Sequence, residues 1–172
     1  MAAVTPTAAK PPTLNSDEAA VVRALNSDEE AVVRALGRAI LVVPRALDAD
    51  LVQAHGLSLS EYAALRQLNT AEDHRMRMSD LSTAVDLSVS GMTRMVTRLE
   101  HAGLVERTKC DEDARGLNAV LTDAGRARLE QATPTYIASV RRHVLDHLDG
   151  IDLTRLADAL RRFGEASCDE SC

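Results

Sequence analysis

From Ser88 to Gly103 the chain reads SVSGMTRMVTRLEHAG, and from Leu104 to Gly125 it continues LVERTKCDEDARGLNAVLTDAG. In the first stretch Val89, Met92, Val96 and Leu99 recur at spacings of 3, 4 and 3, which predicts the apolar face of one helix. Ser90, Thr93, Arg94, Thr97 and Arg98 are then directed away from the core, with no carboxylate before Glu100. Short hydroxyls approach phosphates and base edges closely, and a guanidinium pairs bidentately with guanine or clamps a phosphate. The free amides at Ser88 to Gly91 add a positive helix end. In the second stretch Leu104–Thr108 and Leu117–Leu121 read as two short strands around a charged tip, a β-hairpin.

Working backwards, Met78–Asp86 predicts a short helix separated from Ser88 by a tight turn, so that the two form a helix-turn-helix. A further helix through Tyr62, Leu65 and Leu68 is capped by Ser58 or Ser60. Before it, Leu36, Ile40, Val43, Leu47 and Leu51 continue a helical stripe that Pro44 should kink and Gly56 should stop. Two eleven-residue copies, NSDEAAVVRAL (Asn15–Leu25) and NSDEEAVVRAL (Asn26–Leu36), lead into that stripe; eleven residues return to nearly the same helix face. In the second copy Ser27 and Glu30 have capping-box spacing.

Working forwards, Thr122 or Asp123 starts a helix expected to break near Pro134 and restart with Thr133 as its cap. Ile137, Val140, Val144 and Leu148 carry on its stripe. A last helix follows Asp152, with Leu156, Leu160 and Phe163 expected inward. The expected organisation is a tail at 1–14, an N-terminal dimerisation helix region at 15–57, a DNA-binding lobe at 58–125, C-terminal dimerisation helices at 126–166 and a tail at 167–172. The fold class is mainly α with a small β-hairpin wing.

Asp113-x-Arg115 followed by Leu121-Thr122, set after Gly103-Leu104-Val105-x-Arg107, resembles the MarR family of bacterial winged helix-turn-helix transcriptional regulators. The resemblance covers roughly residues 36–163. It implies a homodimer with interlocked terminal helices, two lobes on palindromic double-stranded DNA, and repression released by a small-molecule effector. It also implies that Arg115 is a wing arginine for the minor groove, oriented by Asp113. Ser88, Ser90, Thr93, Arg94 and Thr97 match recognition-helix positions, with Arg98 and Lys109 as phosphate contacts. Arg45, His55, Tyr62 and Arg66 are the polar residues expected to line an effector cleft.

Composition agrees with this reading and excludes others. At 172 residues with 45% hydrophobic side chains the chain can bury a core without metal or disulfide staples. No apolar run approaches the 18 or so residues of a membrane span, and no cofactor is implied. The formal net charge of −6 hides a middle section, 75–128, with 9 basic and 8 acidic side chains between two acidic ends. Tyr62, Tyr136 and Phe163 are too few for the stacking platforms of single-strand binders. Neither a phosphate-cradling glycine loop nor a nucleophile elbow is present, so an enzyme is not expected. Cys110, Cys168 and Cys172 form no disulfide framework, and a cytoplasmic, nucleoid-associated protein is expected. His143 and His147, four apart, raise a zinc-responsive regulator as an alternative, and a winged-helix protein-interaction module is another.

Overall fold

A computed structural model describes residues 24–109 and 116–165. Helix α1 spans Ser27–His55 and α2 Leu59–Thr70. A single 3₁₀ turn, Glu72–His74, leads into strand β1 (Arg75–Arg77), followed by α3 (Met78–Ala84) and α4 (Val89–His101). Strands β2 (Val105–Lys109) and β3 (Leu117–Leu121), then α5 (Asp123–His143), the 3₁₀ turn Leu145–His147 and α6 (Leu153–Glu165) complete the order. By internal contacts the chain divides into two units, 1–39 and 40–172.

In the first unit α1 begins on Asn26, whose Oδ1 accepts the amides of Asp28 and Glu29 at 3.0 and 2.9 Å. The Glu29 carboxylate in return accepts the Asn26 amide at 2.8 Å. The capping box is therefore Asn26–Glu29, one residue before the expected Ser27–Glu30. Asparagine caps as well as serine, and this register leaves Glu30 free to pair with Arg34 one turn on, at 3.7 Å. The first copy of the eleven-residue repeat lies almost wholly outside the described residues. Val32 and Val33 of the second are exposed.

The core of the second unit gathers Leu51 of α1, Tyr62, Leu65 and Leu68 of α2, Leu81 of α3, Met92, Met95, Val96 and Leu99 of α4, and Leu129 and Ala132 of α5 around the sheet. Ser58 is the cap of α2, in a complete capping box with Glu61. The sheet order is β1-β3-β2, all antiparallel, with β3 central. β2 and β3 form the expected hairpin, in register Val105↔Leu121 to Lys109↔Leu117. β1 was not legible: the alternation in Arg-Met-Arg is only three residues long, too short to signal a strand, and it is a strand because β3 offers a free edge.

Three expectations are corrected. Helix α5 runs unbroken through Pro134, and Thr133 donates its hydroxyl to the Leu129 carbonyl at 2.8 Å instead of capping a new helix. Glu130, whose carbonyl the proline leaves without an amide, lies on the exposed side of the helix, while Leu129 and Ala132 hold the other side in the core. The stripe does not continue past Val144, which leaves helical geometry at φ −130°, ψ −68°. Finally, Leu160 and Phe163 are exposed and Leu156 is half-buried, because α6 adds no residue to the core of the described chain.

The junction of α4, wing and α5 explains the Leu-Thr-x-x-Gly run at 121–125. Thr122 accepts the Gly125 amide at 3.0 Å, capping α5, and donates to the Gly103 carbonyl at 2.8 Å. Gly103 adopts φ +70°, turning the chain from helix into strand. A Cβ at Gly125 would stand 2.1 Å from the Leu104 carbonyl oxygen. Gly125→Ala should therefore lower stability in urea denaturation by about 1–3 kcal/mol. Gly37→Ala, in open space on α1, should be neutral or stabilising by up to about 1 kcal/mol.

Candidate nucleic-acid interface

Ser88 starts α4 by accepting the Gly91 amide at 3.2 Å, and its hydroxyl lies 3.3 Å from that of Ser90. No acidic residue occupies the first turn, so the positive end of the helix dipole is uncompensated. Thr93 donates to the Val89 carbonyl and Thr97 to the Thr93 carbonyl, both at 2.9 Å. These bonds consume the hydroxyl protons; the Thr93 oxygen is left as an acceptor on the surface, whereas that of Thr97 accepts from Arg107. Arg94 is exposed and has no hydrogen-bond or ion-pair partner among the described residues. Thr93 and Thr97 thus lie outside the core as the sequence predicts, Thr97 half-buried.

One member of the expected apolar face is misplaced. Val89 is 73% exposed, and Met95 is buried in its stead. The core meets α4 at Met92, Met95, Val96 and Leu99. Val89 lies one turn nearer the N-terminus, beyond the reach of that packing, and side chains in a helix lean toward its N-terminal end.

Two arginines fix α4 to its neighbours. Arg107 of β2 donates through Nη2 to the Thr97 hydroxyl, and its Nε stands 3.4 Å from the Glu100 carboxylate. The first wing strand is thereby tied to the outward face of the helix. Sequence reasoning gave Arg107 no part in this; it is one side chain answering two residues three apart on a facing helix. Arg98 donates through Nε to Glu61 Oε1 at 2.9 Å, and the other oxygen of Glu61 accepts the Ser58 amide at 3.0 Å. One carboxylate therefore closes the cap of α2 and holds α4. The Arg98 side chain remains 62% exposed, so its outer nitrogens still face solvent. Lys109 ends β2 and is exposed. Asp113, Arg115 and Cys110 lie outside the described residues, as do Cys168 and Cys172.

The four residues expected around an effector do not surround one cavity. Tyr62 is buried, stacks on Tyr136 at 4.6 Å between centroids, and its hydroxyl is 3.3 Å from that of Thr133. Arg66 lies over the Tyr136 ring at 6.0 Å. His55 Nε2 meets the Thr135 hydroxyl at 2.8 Å. These three tie α1 and α2 to α5, whereas Arg45 borders a separate shallow cleft with Pro44, Asp48, Leu59 and Ser60.

The histidine pair is also separated. His143 is the last residue of α5 and bonds Asp50 at 3.2 Å, whereas His147 lies in the following 3₁₀ turn. The break at Val144 takes the pair off a common helix face. Among the described residues no cluster of three potential ligands could hold a metal ion. Asp50 itself receives Ser139, Arg142 (2.5 Å) and His143 from α5.

With this geometry in place, the comparisons are specific. A profile described as MarR family matches residues 57–117, the span from the start of α2 to the start of β3. AbsC, a MarR family transcriptional regulator from Streptomyces coelicolor, is 39% identical, with 84% of this chain and 97% of that one aligned at a TM-score of 0.77. The chain belongs to the MarR family. A second MarR relative, Sco3205 from the same organism, solved in complex with DNA, is 30% identical over 84% of this chain and 91% of its own, TM-score 0.78. The transcriptional repressor MprA of Escherichia coli K12 is 33% identical over 84 residues, 49% of this chain. The chain spans about half the length of MprA, 48%. In MarR terms the matched stretch is the helix-turn-helix with the first wing strand, the part whose outward side chains are described above.

The Ser139 hydroxyl and the Arg142 guanidinium hold the Asp50 carboxyl below its ordinary value of 3.8, outweighing the burial that would raise it. A depressed carboxylate contributes stability that is complete above the unfolded value and is lost as pH falls through the folded one. The difference in urea stability between the parent chain and Asp50→Asn should therefore be constant from neutral pH down to about pH 5 and shrink below about pH 4.

Proposed function

We propose that this protein is a sequence-specific regulator of transcription that binds double-stranded DNA as a homodimer. The observation that carries the reading is the outer face of α4. Ser88, Ser90 and Thr93 present hydroxyl oxygens beside Arg94, which has no partner among the described residues, with Thr97, Arg98 and Lys109 at the flanks. Such a face offers short polar contacts to base edges and cations to phosphates. In the same reading 58–125 is the DNA-binding lobe, Arg115 enters the minor groove from the wing tip, and Asp113 orients it.

Pairing is supported by apolar surface in each unit: Val32 and Val33 in one, and Ile40, Leu41, Leu153 and Leu160 in the other. A second copy supplies the cover, with 15–57 and 126–166 as the dimerisation segments, and two-fold symmetry sets two recognition helices on a palindrome. The relatives named as repressors support repression as the outcome, and the same reading has it released by a small-molecule effector. A DNA reader of this kind works in the cytoplasm, at the nucleoid.

Duplexes selected from a random pool, measured by fluorescence anisotropy over a range of salt, test the reading. Arg94→Ala should weaken binding about tenfold or more, and Arg115→Ala several-fold, with the dimer intact in both. Arg94→Ala should also reduce the salt slope by about one if its contact is a phosphate. Failure of the parent chain to retain any duplex overturns the proposal and favours a protein-interaction module.

A further inference from the structure

Val89 has the highest fractional exposure of any large hydrophobic side chain among the described residues, at 73%. Most of the others lie on α1, near the end of α5, or on α6 and the turns before it, where a second copy of the chain accounts for them. Val89 is elsewhere: it is the first residue of α4, between the capping Ser88 and Ser90, and one turn from Thr93. Folding gains little from it there. It contributes no core contact, and a β-branched residue is a poorer helix former than alanine.

Its position supplies a reason of another kind. The N-terminal residues of a recognition helix reach base edges in the major groove, and a helical side chain leans toward the N-terminus of its helix. Ser88, Ser90 and Thr93 give that end oxygens that accept from base amino groups, and the serine hydroxyls can donate to phosphates, but none of them offers a large apolar surface. Thymine is the base with an apolar group in the major groove, its C5-methyl, and aliphatic side chains recognise it by contact. Valine also has few χ1 states to lose on contact.

We propose that Val89 is a specificity-determining residue, reading a thymine methyl in each half of the bound duplex. The proposal rests on the reading of α4 as a DNA-recognition helix and adds the base that its first turn selects.

The test removes the methyl from the DNA. In the best duplex selected from a random pool by the full chain, each symmetric pair of thymines is replaced in turn by deoxyuridine, and anisotropy is measured with the parent chain, Val89→Ser and Val89→Thr. For one symmetric pair the loss of both methyls should weaken the parent chain about fifteenfold, about fourfold per half-site, the transfer free energy of one buried methyl group. Val89→Ser, which has no methyl, should bind the thymine and deoxyuridine duplexes equally. Val89→Thr, which keeps one, should retain part of the difference. The Val89 side chain is exposed, so neither variant should alter the thermal midpoint of the chain. If the parent chain binds but no deoxyuridine pair shows an effect that Val89→Ser abolishes, the assignment of Val89 is overturned and DNA binding stands. If the parent chain binds no duplex, both fall.

Discussion

The hydroxyl of Thr122 is the joint on which the lobe turns. It caps α5 through the Gly125 amide and donates to the Gly103 carbonyl, the residue at which α4 turns into β2. The end of α4, the beginning of the wing and the beginning of α5 thus meet at one side chain. They come close enough that only a glycine fits at 125, against the Leu104 carbonyl. Around this point the angle between helix and hairpin is fixed by covalent geometry and two hydrogen bonds, before any side chain on the outer face is considered. A surface that must fit both a groove and its flanking backbone needs that angle held, since small misplacements cost contacts at every position.

Arg107 and Glu61 extend the same constraint outward. Arg107 ties β2 to Thr97 and Glu100, so the wing strand and the exposed face of α4 move together. Glu61 divides its two oxygens between the cap of α2 and Arg98, so α4 is also referred to α2. Tyr62, next in sequence, stacks on Tyr136 of α5, and His55 and Asp50 of α1 reach the same helix at Thr135 and Ser139. A continuous set of polar and aromatic contacts therefore runs from α5 to α4.

The sequence was legible where local chemistry and packing agreed. The cap at Ser88, the turn at Gly103 and the hairpin all have short-range causes and stand where the residues predict, and of the alternatives Ser58 or Ser60 and Thr122 or Asp123 the structure uses the first of each as the cap. It was less legible where a neighbour decides. Arg75–Arg77 is a strand only because β3 has a free edge, and α5 passes Pro134 because packing on one side outweighs a single lost bond on the solvent side. Among site residues, the hydroxyls and Arg94 were read correctly as outward. Arg107 was read only as part of the family pattern and Glu61 was given no structural role, because the contacts that tie α4 to β2 and to α2 are made across elements, where no single-helix spacing rule applies.

Val89 shows how such an error carries information. Periodicity assigned it to the core because spacings of 3, 4 and 3 are satisfied whether or not a core exists at the first turn. The packing neighbours of α4 reach it only from Met92 onward, and Met95 takes the remaining place. A position that obeys the apolar pattern but has nothing to pack against is a conflict between local sequence and global fold. In a natural protein such conflicts are expected where function outweighs stability. An apolar residue on the first turn of a helix whose outer face is otherwise hydroxyls and arginines is such a place, and what it lacks within the chain is an apolar partner of the size of a methyl group.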